Sequence, residues 1–268
     1  MIREEDYKEP VCPLCVPDAR TTLPLRRIIE KYDGFLFRKE YEQALRHLLY
    51  WEKEADESFD TRSKLAILNE KIGLYRFMGK ADEALAASDE ALTYQKSLGI
   101  DGTVTAATTY LNAATACKAF GQLKRSVSLY EEALPIYEKE LSDRDSRLGG
   151  LYNNLALALY EEKDFSSARS YFEKALGVMR KIEDSEPDTA ITLCNLADLE
   201  LAEKGELESA PLVEKLLTDA AGLLRSCKKK DGYYAFVCDK IVPAFSYYGF
   251  FADAADFSKE AKEILERA

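Results

Sequence analysis

The feature that most constrains this chain is a pattern that returns about every 42 residues. In the segment "FSSARSYFEKAL", 165 to 176, Ala168, Phe172 and Ala175 lie at i, i+4 and i+7, one face of a helix. The same frame holds Ala44, Leu48 and Trp51, then Ala84, Ser88 and Ala91, then Ser126, Tyr130 and Ala133. Later come Ala210, Glu214 and Leu217, and finally Ala254, Ser258 and Ala261. The leading small residues stand at 44, 84, 126, 168, 210 and 254, so the spacings are 40, 42, 42, 42 and 44. Self-similarity at such a period marks a repeat architecture.

A partner helix and a short turn precede each of these helices. The turns "FMGKADEA" and "AFGQLKRS" carry glycine, and "EEKDFSSA" does the same job without one. The partner helix has its own stripe: Tyr152, Leu155, Ala156 and Leu159 match Tyr110, Ala113, Ala114 and Cys117 one period earlier, and Leu68, Ile72 and Tyr75 before that. Small residues let paired helices approach, and aromatic residues fill the gap between pairs. The unit is therefore helix–turn–helix, six times over, with second helices near 41–54, 81–97, 123–141, 165–182, 207–227 and 251–267. No strand-like alternation competes. One pair cannot bury its apolar faces alone, so the copies must stack into an α-solenoid, an all-α fold, over 22–268. Residues 1–21 read as an extended tail. The helix "FADAADFSKEAKEILERA" has the dense polar face expected of a terminal cap. Repeat five is degenerate. Glu214 stands where an aromatic is usual, and one extra residue before Ala210 puts Glu200 at a packing position unless a bulge brings in Leu201. Pro243 falls inside the first helix of repeat six and is expected to kink it.

These residues resemble the tetratricopeptide repeat family over roughly 22–266. The 42-residue period, with the strings "LYNNLALALY" and "EPDTAITLCNLADL", resembles the kinesin-light-chain type of the repeat. The resemblance implies a right-handed superhelix whose first helices line a concave groove that binds peptide segments of other proteins. Kinesin light chains carry a long heptad-repeat segment ahead of the repeats, whereas about 20 residues precede the first repeat here; kinesin binding is not expected.

Within "LYNNLALALY" two amides, Asn153 and Asn154, sit among apolar residues, where unpaired burial is costly. Fourteen residues before the leading small residue stand Asn112 in repeat three and Asn154 in repeat four; Asn195 takes the place in repeat five, one further back. Repeats one, two and six hold Glu30, Glu70 and Lys240 there, while Asn153 and Asn69 occupy the neighbouring position. Asn154 is off the packing stripe, so it points to the inner surface. An amide both donates and accepts, so a row of them can bond the backbone of an extended peptide whatever its side chains. By resemblance, Asn112, Asn154 and Asn195 are peptide-backbone ligands, with Asn153 and Asn69 secondary. The alternative is that each amide bonds a neighbouring helix or caps a turn. Arg76, Phe77, Lys118 and Tyr160 are groove neighbours, joined at the far end by Phe236, Lys240 and Tyr247; for the aromatic residues among them inter-repeat packing is the competing role. The carboxylate clamp of other tetratricopeptide domains is unsupported, since Arg26, Ala66, Thr108, Gly150 and Ile191 hold its positions.

Catalytic chemistry is missing from the pattern. His47 is the only histidine and has no Ser or Cys constellation tied to it. No phosphate-binding glycine loop appears. In "PVCPLCVP", Cys12 and Cys15 have the spacing of half a zinc site, but tetrahedral zinc needs four ligands and no other C-x-x-C exists. No metal or other cofactor is expected. The formal charge of -11, from 37 basic and 48 acidic residues, argues against nucleic acid or anionic membrane as a partner. No apolar run approaches a membrane span and no signal-peptide core is present, so a cytoplasmic location is expected. The expected function is a non-enzymatic adaptor or scaffold that binds a peptide segment of a partner protein, with no small-molecule substrate. The alternative is a peptide-sensing regulatory domain that switches conformation on ligand binding.

Overall fold

The computed structural model describes residues 23–267. They form twelve α-helices joined by short turns. The chain divides into two compact units. The first holds α1 (Leu25–Phe37), α2 (Tyr41–Glu57), α3 (Thr61–Phe77), α4 (Ala81–Ser97), α5 (Val104–Ala119) and α6 (Leu123–Glu140). The second holds α7 (Ser146–Glu161), α8 (Phe165–Met179), α9 (Glu186–Lys204), α10 (Glu206–Ser226), α11 (Gly232–Tyr247) and α12 (Phe251–Glu266). Each unit stacks three helix pairs, and the class is an all-α repeat solenoid. Cys12 and Cys15 lie outside the described residues.

The helix boundaries have local causes. Asp60, Thr103, Asp145 and Asp231 cap four of the first helices, each accepting a hydrogen bond from a backbone N–H of the first turn. Between the two helices of a pair the chain needs one left-handed residue. Gly79, Gly121 and Gly249 supply it without steric cost, and Lys39 and Lys163 are forced into it. The glycine-free turn "EEKDFSSA" therefore works with Lys163 at φ 67°.

The packing stripe is buried as its period requires. Ala84, Ser88 and Ala91, Ser126, Tyr130 and Ala133, and Ala168, Phe172 and Ala175 are all fully enclosed. Two repeats differ from the sequence frame. In repeat five the buried small residue is Ser209, not Ala210, which is exposed; Val213, not Glu214, fills the second place. Two adjacent small residues made the frame ambiguous by one, and the side that buries Val213 wins. Asn195 then stands fourteen residues before Ser209, in register with Asn112 and Asn154, and no extra residue is needed. In repeat six the second place is taken by buried Phe257, with Ser258 exposed, because Phe257 packs edge-on against Phe245 at 5.7 Å. α9 runs without a bulge, so Glu200 keeps the packing position and is 1% exposed. α11 continues through Pro243 to Tyr247.

Candidate functional site

First helices pack side by side within each unit, α3 beside α5, α7 beside α9 and α9 beside α11. The asparagines lie on these helices, and the structure sorts them by what their amides already do. In the first unit Asn69 is buried; its Nδ2 donates to the Leu65 carbonyl at 3.0 Å and to Thr109 Oγ1 on α5 at 3.0 Å. Its Oδ1 accepts from Asn112 Nδ2 at 3.0 Å. The second unit repeats the device. Asn153 Oδ1 accepts from Asn195 Nδ2 at 3.1 Å and from Thr192 Oγ1 at 3.2 Å.

The lock is therefore a three-residue set. An asparagine fifteen before one leading residue meets a threonine seventeen before, and an asparagine fourteen before, the leading residue of the next repeat. Sequence reasoning missed Thr109 and Thr192, although their common position three residues ahead of Asn112 and Asn195 is a visible signal. Asn69 and Asn153 tie repeats together. Asn112 and Asn195 are half-buried and spend one amide hydrogen on that tie, leaving Oδ1 without a donor among the described residues. Asn154 is half-buried, and its side-chain amide makes no hydrogen bond among the described residues.

The other predicted groove residues are spread over both units. Arg76 lies over the exposed Phe77 ring, 4.6 Å from its centroid, and Lys118 is half-buried in the last turn of α5. In the second unit Tyr160 packs on Phe165 at 5.9 Å, and burial, helped by the charges of Asp198 and Glu161, raises its pKa. Lys240 sits over exposed Phe236 at 5.5 Å, one turn along α11, and Tyr247 is exposed two turns further. Asp198 accepts from Tyr248 Oη at 2.7 Å; burial raises the carboxyl pKa and the hydroxyl partly offsets it. The first helices of the second unit thus carry two half-buried asparagines, Asn154 and Asn195, the rings Tyr160, Phe236 and Tyr247, and Lys240. Among the described residues no group of three His, Cys, Asp or Glu could hold a metal ion, and no helix is long and apolar enough to cross a membrane.

Paired helices stacked at a 42-residue period, with interlocking amides, define a helical repeat protein built for interaction. The tetratricopeptide repeat family model matches residues 63–139 and 147–211, more than half of the chain, and the chain belongs to that family. Its repeats are similar to those of a kinesin light chain-related protein. Protein KINESIN LIGHT CHAIN-RELATED 1 of Arabidopsis thaliana is 27% identical over 164 residues, which cover 59% of this chain and 26% of that protein. The chain thus matches about a quarter of that relative's length. Among solved structures, a Podosopora anserina protein with nearly identical repeats of the kinesin-light-chain type superposes with a TM-score of 0.55 at 16% identity, over 76% of this chain and 96% of that one. A Rap protein complexed with competence and sporulation factor superposes with a TM-score of 0.55 at 14% identity, over 91% of this chain and 75% of that one.

Proposed function

We propose that this protein is an adaptor whose first helices hold an extended peptide segment of a partner protein, with a binding rather than a catalytic role. The observation that carries the reading is the division of labour among the asparagines. Asn69 and Asn153 satisfy their neighbours, while Asn112 and Asn195 are held rigid by one bond and keep a carbonyl oxygen for an incoming N–H. Asn154 keeps its whole amide. Fixed acceptors lose little entropy on binding, and side-chain amides read backbone without reading sequence. Phe236, Lys240 and Tyr247 then supply side-chain selectivity at one end of the second unit, and Arg76, Phe77 and Lys118 do so in the first.

Peptides selected from a random library against the full chain provide the test. Changing Asn112, Asn154 and Asn195 together to Ala is expected to weaken the selected peptides at least tenfold. Unchanged affinities in a variant that still folds would remove the reading. Small-angle scattering with and without peptide separates adaptor from switch: an unchanged radius of gyration fits the adaptor, and a clear contraction fits a conformational regulator.

A further inference from the structure

One half-buried carboxylate of the second unit has no counter-charge. Asp198 lies one turn beyond Asn195 on α9, on the same side of the helix, where α9 packs against α7 and α11. Its Oδ1 accepts from Tyr248 Oη, just past the end of α11, at 2.7 Å. Its Oδ2 meets no donor among the described residues and is not sealed from solvent. Burial raises the carboxyl pKa and only the Tyr248 hydroxyl opposes this; no lysine or arginine among the described residues offsets the charge.

Other buried and half-buried carboxylates of the same unit are treated differently. Glu200 is met by Arg169 and by Lys204 at 2.9 Å, Asp231 by Lys229 at 3.0 Å, and Asp253 by Arg225. Nor does the packing call for an acid at this place. Eleven residues before the leading small residue, repeat three has Thr115, repeat four Leu157 and repeat six Pro243, all uncharged. The Asp198–Tyr248 bond does tie repeats five and six together. An amide would serve that tie equally well, so the tie does not explain the charge.

Tyrosines gather around this carboxylate. Tyr248 bonds it, and Tyr247, 74% exposed, packs edge-on against Tyr248 at 5.0 Å. On α7, burial and then the charge of Asp198 raise the pKa of half-buried Tyr160. Aromatic ring faces attract cations, and a carboxylate adds a full charge and an acceptor.

We propose that Asp198, with Tyr160, Tyr247 and Tyr248, is a cation subsite that takes a lysine or arginine side chain of the bound peptide, one turn along from the backbone contact at Asn195. The ammonium or guanidinium donates to Oδ2 and supplies the counter-charge that the half-buried carboxylate lacks. A chain of formal charge -11 draws basic segments toward it, and the subsite sets which residue of the segment is read. The inference rests on the peptide-binding reading of the asparagines and adds the chemistry of the peptide.

Positional-scanning nonapeptide pools are the probe: one position is fixed as Lys, Gln or Glu and the others are random. Against the full chain, one position is expected to favour Lys over Gln by roughly fivefold or more, with Glu weakest. Asp198→Asn keeps an acceptor for Tyr248 and removes the charge. It is expected to leave the unfolding midpoint and the Gln pool unchanged and to abolish the Lys preference. Asp198→Leu, after Leu157 of repeat four, is a second variant with the same expected loss of preference. Asp198→Lys is expected to reverse the order, so that the Glu pool binds best. Pools that bind with no Lys preference at any position, or a preference that Asp198→Asn and Asp198→Leu leave intact, overturn the subsite while the asparagine groove stands. A full chain that holds none of the pools overturns both.

Discussion

Asn69 and Asn154 are the same residue type one position apart in the repeat frame, and they do opposite work. Asn69 is 5% exposed and its amide spends three hydrogen bonds inside the first unit, while that of Asn154 spends none among the described residues. Sequence placed both on first helices, because periodicity reports which face a residue takes. It could not report which neighbour completes the amide, since that partner lies about forty residues away on the next repeat. Asn69→Ala leaves Thr109 and Asn112 short of a partner in a buried place; thermal or urea unfolding is expected to register a loss of about 1–2 kcal/mol. Lys163 has the opposite problem. Its backbone sits at φ 67°, where a side chain is strained, so Lys163→Gly is expected to raise stability by about 1 kcal/mol in the same assay. His47 gives a pH signature. Burial lowers its pKa, the bond to the Ile28 carbonyl at 2.9 Å opposes this, and the charge of Lys31 adds to the lowering. With the folded pKa below the unfolded one, the unfolded chain binds more protons in that window. Stability is thus flat above about pH 6.5 and falls as pH drops below it. Proton NMR of the single histidine is expected to show a midpoint below the ordinary value, and a midpoint above it would contradict the account.

At the level of helices, the period pointed to the all-α repeat class because paired amphipathic helices leave little freedom. What they misread was register in α10. Ser209 and Ala210 are both small, so either can lead the stripe on size alone; only burying Val213 rather than Glu214 decides between them. α9 carries the reverse case, a charge that stays in register. Glu200 is held by Arg169, which also binds Glu203, and by Lys204 at 2.9 Å. Burial would raise the Glu200 pKa, but the bonds from Arg169 and Lys204 outweigh it and hold the carboxyl below its ordinary value. A depressed carboxylate pKa contributes stability above the unfolded value of about 4.3 that is lost as pH falls through the folded one. Arg169→Ala leaves the buried carboxylate with Lys204 alone and is expected to cost about 3 kcal/mol at pH 7. Adding Glu200→Leu to that variant removes the stranded charge and is expected to recover most of the loss. If the double variant proves no more stable than Arg169→Ala, Glu200 is not the source of the cost.

At the scale of the molecule, two stacks of three helix pairs make a tetratricopeptide repeat protein, and each stack repeats one amide lock. The repeat was legible because every copy restates it, so errors in one frame are corrected by the others. The residues proposed to bind were legible only as positions, since a repeat period reports a residue's place and not its ligand. The central claim is that the asparagines have separated into ties and ligands, with Asn154 wholly a ligand. Binding and stability measured side by side on Asn154→Ala test it most directly, using a library-selected peptide that the full chain binds. The account predicts a roughly tenfold rise in Kd, about 1.4 kcal/mol, with the unfolding midpoint unchanged. An unchanged Kd with a lowered unfolding midpoint would make Asn154 another tie and contradict it.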